Sequence, residues 1–208
     1  MKTSYTRFRE ELKPFPLFSV REIEKYFPGF DSRRLVEWQR KGYIRKLRNR
    51  YYSFDDQPVD EGFLSYAANQ LYSPSYLSLE SALSFYGFIP EGVFQFTSCT
   101  TRKTQTFDTP VGSFSYRRLK PPLYFGYLLQ TWGDHHYKIA EPEKALIDYL
   151  YLHHELEEAR DLEALRWNRH EIRNRISADR LSRYATHIGS PALDRRITLL
   201  QEFLHADD

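Results

Sequence analysis

The chain has 208 residues, 41% of them hydrophobic and 16% aromatic, enough apolar surface for a packed core and too much for a wholly disordered chain. The formal net charge is only +2, but 14 Lys/Arg stand against 9 Asp/Glu in residues 1–60, leaving 16 against 19 in the rest. A single cysteine, Cys99, excludes an internal disulfide and a Cys-rich zinc site, and no apolar run approaches the roughly 20 residues of a membrane span.

The opening "MKTSYTRFREELK" has no apolar leader, so a cytoplasmic location is expected. Residues 4–13 predict a short helix with Tyr5, Phe8 and Leu12 on one stripe, ended by Pro14 and Pro16. Ser19, with Glu22 three residues on, predicts a capping box at the start of a second helix, "SVREIEKYF". Val20, Ile23 and Phe27 face inward on it. Pro28-Gly29 breaks that helix. Asp31 or Ser32 caps a third, "DSRRLVEWQRK", which stops at Gly42. Tyr43–Leu47 and Tyr51–Phe54 then predict a β-hairpin through Arg48-Asn49-Arg50.

The acidic, proline-containing tract 55–62 reads as a boundary. Beyond it, "FLSYAANQLY" and "LSLESALSFYG" predict helices. "VFQFTSCT", "GSFSYRRL", "YFGYLLQTW" and "HYKIA" predict strands. Pro142, at a helix N1 position, opens "EPEKALIDYLYLHHEL". Residues from about 155 to 206 predict charged helices with a break at Gly189-Ser190-Pro191. The expected fold is α+β: a winged helix-turn-helix over residues 1–57, then a mixed domain, 58–208, with a central β-sheet and C-terminal helices.

The stretch "RKGYIRKLRNRYYSF", residues 40–54, holds six cations and no carboxylate. On the third helix Leu35 and Trp38 share the inward face. The opposite face shows Arg33, Val36, Glu37 and Arg40, with Arg34 and Lys41 on its flank. Arginine pairs bidentately with guanine, and a carboxylate accepts from cytosine. The hairpin would carry Arg45, Lys46, Arg48 and Arg50 as a wing against phosphates or the minor groove. Clustered unpaired cations suit a polyanion and repel one another elsewhere. Double-stranded DNA is therefore the expected partner, and a merely solvated basic face is the plain alternative.

"SVREIEKYFPGFDSRRLVEWQRKGYIRKLRNRYYSF" resembles the N-terminal winged-helix domain of AbiEi-type antitoxins, from type IV toxin–antitoxin (abortive infection) systems. Arg40-Lys41-Gly42 and Tyr51-Tyr52 match its cadence. "YLSLESALSFYGFIPE" (76–91) and "IAEPEKALIDYLYL" (139–152) resemble the C-terminal antitoxin domain of the same family. The resemblance implies two activities. The first is binding to inverted repeats in the chain's own promoter, repressing its operon. The second is antagonism of a cognate nucleotidyltransferase-like toxin, without a stable complex in the usual case.

Ser78, Glu80 and Ser81 form a candidate partner surface, against the alternative of a helix cap above leucines that belong to the core. "EPEKALIDYLYL" is apolar nearly all round, as in a buried helix. Asp148 within it needs a partner, and Lys144, four residues earlier, can reach it. The pair is either structural or, through Asp148, a contact to a toxin or nucleotide. Arg166, Arg169, Arg173 and Arg180 offer a second anionic contact or a solvated surface.

No enzymatic site is expected. A nucleotidyltransferase needs a Gly-Ser turn followed by paired acids for two metals, and after Gly112-Ser113 the next acid is Asp134, alone. Glu11-Leu12-Lys13 has the spelling of a nuclease motif but sits on a helix. No phosphate-binding glycine loop calls for a cofactor. His135-His136 and His153-His154 lack the supporting ligands of a metal site.

Overall fold

The computed structural model describes residues 3–90, 92 and 94–206. Glu91 and Val93, which belong to stretches singled out above, lie outside the described residues. The fold is mixed α+β, with a small sheet near the N-terminus, a large mixed sheet and a set of C-terminal helices. No helix among the described residues is long and apolar enough to cross a membrane.

The first three helices are α1 (Tyr5–Leu12), α2 (Val20–Tyr26) and α3 (Arg33–Arg40). Ser19 caps α2 as the sequence indicates. Its hydroxyl accepts from the Glu22 amide while the Glu22 carboxylate accepts from the Ser19 amide, satisfying two of the helix's orphan donors. Between α1 and α2 lies β1 (Phe18–Ser19), and after α3 come β2 (Ile44–Arg48) and β3 (Tyr51–Phe54), all antiparallel in the order β1-β3-β2. Their core is aromatic. Phe8 is fully buried against Phe18, Phe27, Phe30, Trp38 and Phe54, and burying such a ring is worth about 2–3 kcal/mol.

The tract at 55–62 ends earlier than expected. Asp60 accepts from the Phe63 amide and starts α4 (Glu61–Leu71). The large sheet follows: β4 (Ser75–Leu77), β5 (Gln95–Thr100), β6 (Gln105–Thr109), β7 (Gly112–Arg118), β8 (Tyr127–Trp132) and β9 (His135–Ala140). Their spatial order is β6-β7-β5-β4-β9-β8, with β5–β7 and β4–β9 parallel and the other pairs antiparallel. Two of these strands were not expected. Ser75–Leu77 reads as the start of a helix because it is short and buried throughout, and "QTFDT" reads as loop because it is polar.

Side chains alternate across a strand, so the pairing register sorts the two faces. Tyr76, Cys99 and Arg117 are register partners on one face, and Tyr116 lies on the other. Helix α4 covers the Tyr116 face, where the Tyr116 hydroxyl donates to the Ala68 carbonyl at 2.7 Å. Helix α5 (Leu79–Phe85) and α6 (Pro142–Leu152) cover the Tyr76 face. Four further helices, α7 (Ala159–Ala164), α8 (Arg169–Arg175), α9 (Ala178–Ile188) and α10 (Pro191–His205), complete the chain. Gly189, with φ +61°, ends α9 in the left-handed conformation that glycine adopts without steric cost, and Pro191 opens α10. The Arg196 guanidinium on α10 donates to the carbonyls of Leu150, His154 and Leu156, tying down the end of α6.

Candidate nucleic-acid interface

Leu35 and Trp38 anchor α3 in the aromatic core, 3% and 2% exposed. The helix therefore turns its other side outward: Val36 is 68% exposed, and Arg33, Arg40 and Lys41 are exposed with it. Glu37 and Arg34 are half-buried on the flanks.

Two of these cations have local counter-ions. The Arg33 guanidinium donates to both oxygens of Asp31, with Nη2 to Oδ2 at 2.9 Å, and holds the Asp31 carboxyl below its usual range. Lys41 donates to Glu37 at 2.6 Å and lowers the Glu37 carboxyl likewise. Both pairs are open to solvent, where such contacts are weak and easily exchanged for another anion. Arg34 lies over the Trp38 ring at 5.7 Å. The Arg40 side chain makes no ion pair or hydrogen bond among the described residues, and neither do those of Lys46 and Arg50.

The hairpin departs from a simple two-residue alternation. Lys46 pairs with Tyr52 and Arg48 with Tyr51, leaving Leu47 as an extra residue in a bulge. A bulge twists its strand and redirects the side chains beyond it. Ile44 accordingly points into the N-terminal core and Leu47 into the core of the large sheet. Arg48 follows Leu47 inward. Its guanidinium donates to the Leu71 carbonyl and lies over the Phe107 and Tyr72 rings at 3.6 and 5.2 Å. Desolvation by these neighbours lowers its pKa. The expected wing contact at Arg48 is thus corrected: this arginine joins the hairpin to the large sheet. Arg45 is half-buried beside Asp55 at 3.5 Å, Lys46 is exposed, and Arg50 is exposed at a turn with φ +71°.

The second expected surface is not a surface at three of its five positions. Ser78, Lys144 and Asp148 are 0%, 0% and 1% exposed. The i, i+4 ion pair between Lys144 and Asp148 is present, but it is closed off by groups from a distant strand. Lys144 Nζ donates to the Tyr76 hydroxyl at 2.8 Å. The Tyr76 and Ser78 hydroxyls each donate to Asp148 Oδ2 at 2.8 Å. Burial first, and the Asp148 charge second, push the Tyr76 hydroxyl well above its ordinary value. A buried ion pair is tolerated where hydrogen bonds satisfy its remaining lone pairs and protons. Tyr76 was missed in the sequence because its role depends on a partner 68 residues away.

Ser81 has a structural task as well. Its hydroxyl accepts from the Thr97 amide at 2.7 Å, and its own amide donates to Thr97 Oγ1 at 3.0 Å, fastening α5 to β5. Glu80 alone of the five remains half-exposed and without such a task. The stretches 76–91 and 139–152 also meet in space. Leu77 pairs with Ile139, and the Tyr86 hydroxyl donates to the Ala140 carbonyl at 2.7 Å. No protein-family model matches the chain, and no similar protein is found among curated proteins.

Proposed function

We propose that the chain is a DNA-binding transcriptional repressor whose residues 1–57 form a winged helix-turn-helix, with α3 as recognition helix and the β2–β3 hairpin as wing. The observation that carries this reading is the outward face of α3. Arg33, Val36, Arg40 and Lys41 stand exposed on it, and the hairpin that follows exposes Lys46 and Arg50. The helix is anchored from behind and uncovered in front, as a groove-reading helix must be. Arg40, Lys46 and Arg50 are ready to take phosphates or a guanine edge. Arg33 and Lys41 would exchange Asp31 and Glu37 for the nucleic acid.

Fluorescence anisotropy with a duplex carrying the inverted repeats upstream of the chain's own gene tests this. Three to five neutralised phosphates give a log–log salt slope between about −2.7 and −4.5. Arg40→Ala should weaken specific binding by about 1–3 kcal/mol if Arg40 reads a base. A protein-interaction module with a basic face predicts instead no preference over scrambled duplex and indifference to Arg33→Ala and Arg40→Ala, and either result overturns the proposal.

The second half of the reading is antitoxin activity against a cognate nucleotidyltransferase-like toxin. It rests on the likeness of 76–91 and 139–152 to AbiEi-type antitoxins. Co-expression of the full chain with such a toxin from a neighbouring gene should restore growth. Unrelieved toxicity removes this half and leaves the DNA-binding half standing.

A further inference from the structure

Strand β7 alternates between two environments. Phe114 and Tyr116 are buried under α4, while Ser115 and Arg117 face the other side of the sheet. There α5 and α6 leave part of the sheet unroofed, and a cleft of about 460 Å³ remains, within the range of small-molecule sites. Glu80, from the first turn of α5, and Arg117 both line it. Leu79, Leu83, Leu165 and Trp167 supply an apolar wall.

Opposite charges within reach of one another pair readily in this molecule, as Arg9 does with Asp56, Arg33 with Asp31, Lys41 with Glu37 and Arg175 with Glu171. Glu80 and Arg117 share a cleft and do not pair, with each other or with any other described residue. The sheet carries one and the helix the other, so the two charges approach the cleft from different elements. Tyr149 adds a donor at the same cleft: burial first, then the charges of Glu80 and Glu155, push its hydroxyl up to about 12.

We propose that this cleft binds a small zwitterion with an apolar side group, a free amino acid or a short peptide. Its ammonium group sits on Glu80, its carboxylate on Arg117, and its side group against the half-exposed Ile89 and Leu165, above the buried Leu79, Leu83 and Trp167. A guanidinium matches a carboxylate bidentately, and a half-enclosed charge of each sign, Glu80 and Arg117, discriminates against ligands that lack the counter-charge. The site is separate from the DNA-binding face and does not rest on that reading.

Equilibrium dialysis of the full chain against radiolabelled leucine, dileucine and trileucine tests the proposal and measures the distance the two charges span. One of the three lengths should bind. Glu80→Gln and Arg117→Gln should each weaken it at least about tenfold, a change of about 1.4 kcal/mol. Acetylating the ligand's amino group should cost as much as Glu80→Gln, and the two losses should not compound, because they remove the same contact. Neither substituted side chain makes an ion pair or hydrogen bond among the described residues, so both variants should unfold at the wild-type urea concentration. Failure of all three lengths to bind overturns the proposal. So does binding that ignores both substitutions, or AMP binding through Arg117 that is unchanged by Glu80→Gln.

Discussion

Two lysine–carboxylate pairs with the same i, i+4 spacing sit in opposite environments. Glu37 and Lys41 lie along the outward side of α3, open to solvent. Lys144 and Asp148 lie on α6, sealed beneath the sheet with Tyr76 and Ser78. In water the first pair is a loose association, screened by salt and readily exchanged. The second is shut off from solvent, so each member depends on the other and on the Tyr76 and Ser78 hydroxyls. Spacing decides that two side chains can meet. Burial decides whether the meeting matters to the fold or leaves both groups available to something else.

Removing one member of the buried pair gives the largest expected effect. Asp148→Ala leaves Lys144 without its counter-ion and should cost about 3–5 kcal/mol, read as a lowered urea midpoint. The double replacement Lys144→Met with Asp148→Leu should be less destabilised than Asp148→Ala alone. The opposite order would show that the charges themselves contribute net stability.

The third member of the ring gives the pair a pH signature. The Tyr76 hydroxyl is held well above 10.0 in the folded protein and ionises more easily in the unfolded chain. The stability tied to its proton is therefore complete below pH 10 and falls as pH rises beyond it, by up to about 1.4 kcal/mol per pH unit. Urea titrations between about pH 9 and 11 should show a slope that Tyr76→Phe reduces by one proton.

Arg48 is the intermediate case, a cation from the basic tract drawn into a partly buried site. Arg48→Ala should lower stability by about 2 kcal/mol, through loss of the Leu71 hydrogen bond and the Phe107 contact. The salt slope of duplex binding should stay as in the wild type. A slope reduced by about one unit would put Arg48 back among the phosphate contacts. Smallest is the exposed pair: Glu37→Gln should leave the urea midpoint unchanged, and a clear shift would mean that this pair is held more rigidly than its exposure implies.

The sequence is most readable where a single local rule governs. The Ser19–Glu22 capping box, Pro142 at the first turn of α6 and the Gly189–Pro191 break each depend on neighbours within four residues. So does the Lys144–Asp148 pair. What fails is whatever the tertiary context decides. Strand β4 is three residues long and buried on both faces, so it carries no alternation to detect. The bulge at Leu47 goes with a strand whose Ile44 and Leu47 enter two different cores, which no local pattern announces. Ser78 belongs to the helix cap in spacing, yet its hydroxyl reaches Asp148 instead of the helix amides. Glu80 and Arg117 stand 37 positions apart in sequence, and nothing local links them. The basic face of α3 was legible because an amphipathic helix reports its exposed side directly. The inward turn of Arg48 was not.

Strand β2 threads both hydrophobic interiors, with Ile44 in one and Leu47, three positions later, in the other. Neither interior can loosen without dragging a shared piece of backbone out of its neighbour. The N-terminal helices and the large sheet should consequently melt as one cooperative unit, with amide exchange across β2 requiring global opening. The hairpin, though paired in the small sheet, is thereby pinned to the large one through Leu47 and Arg48.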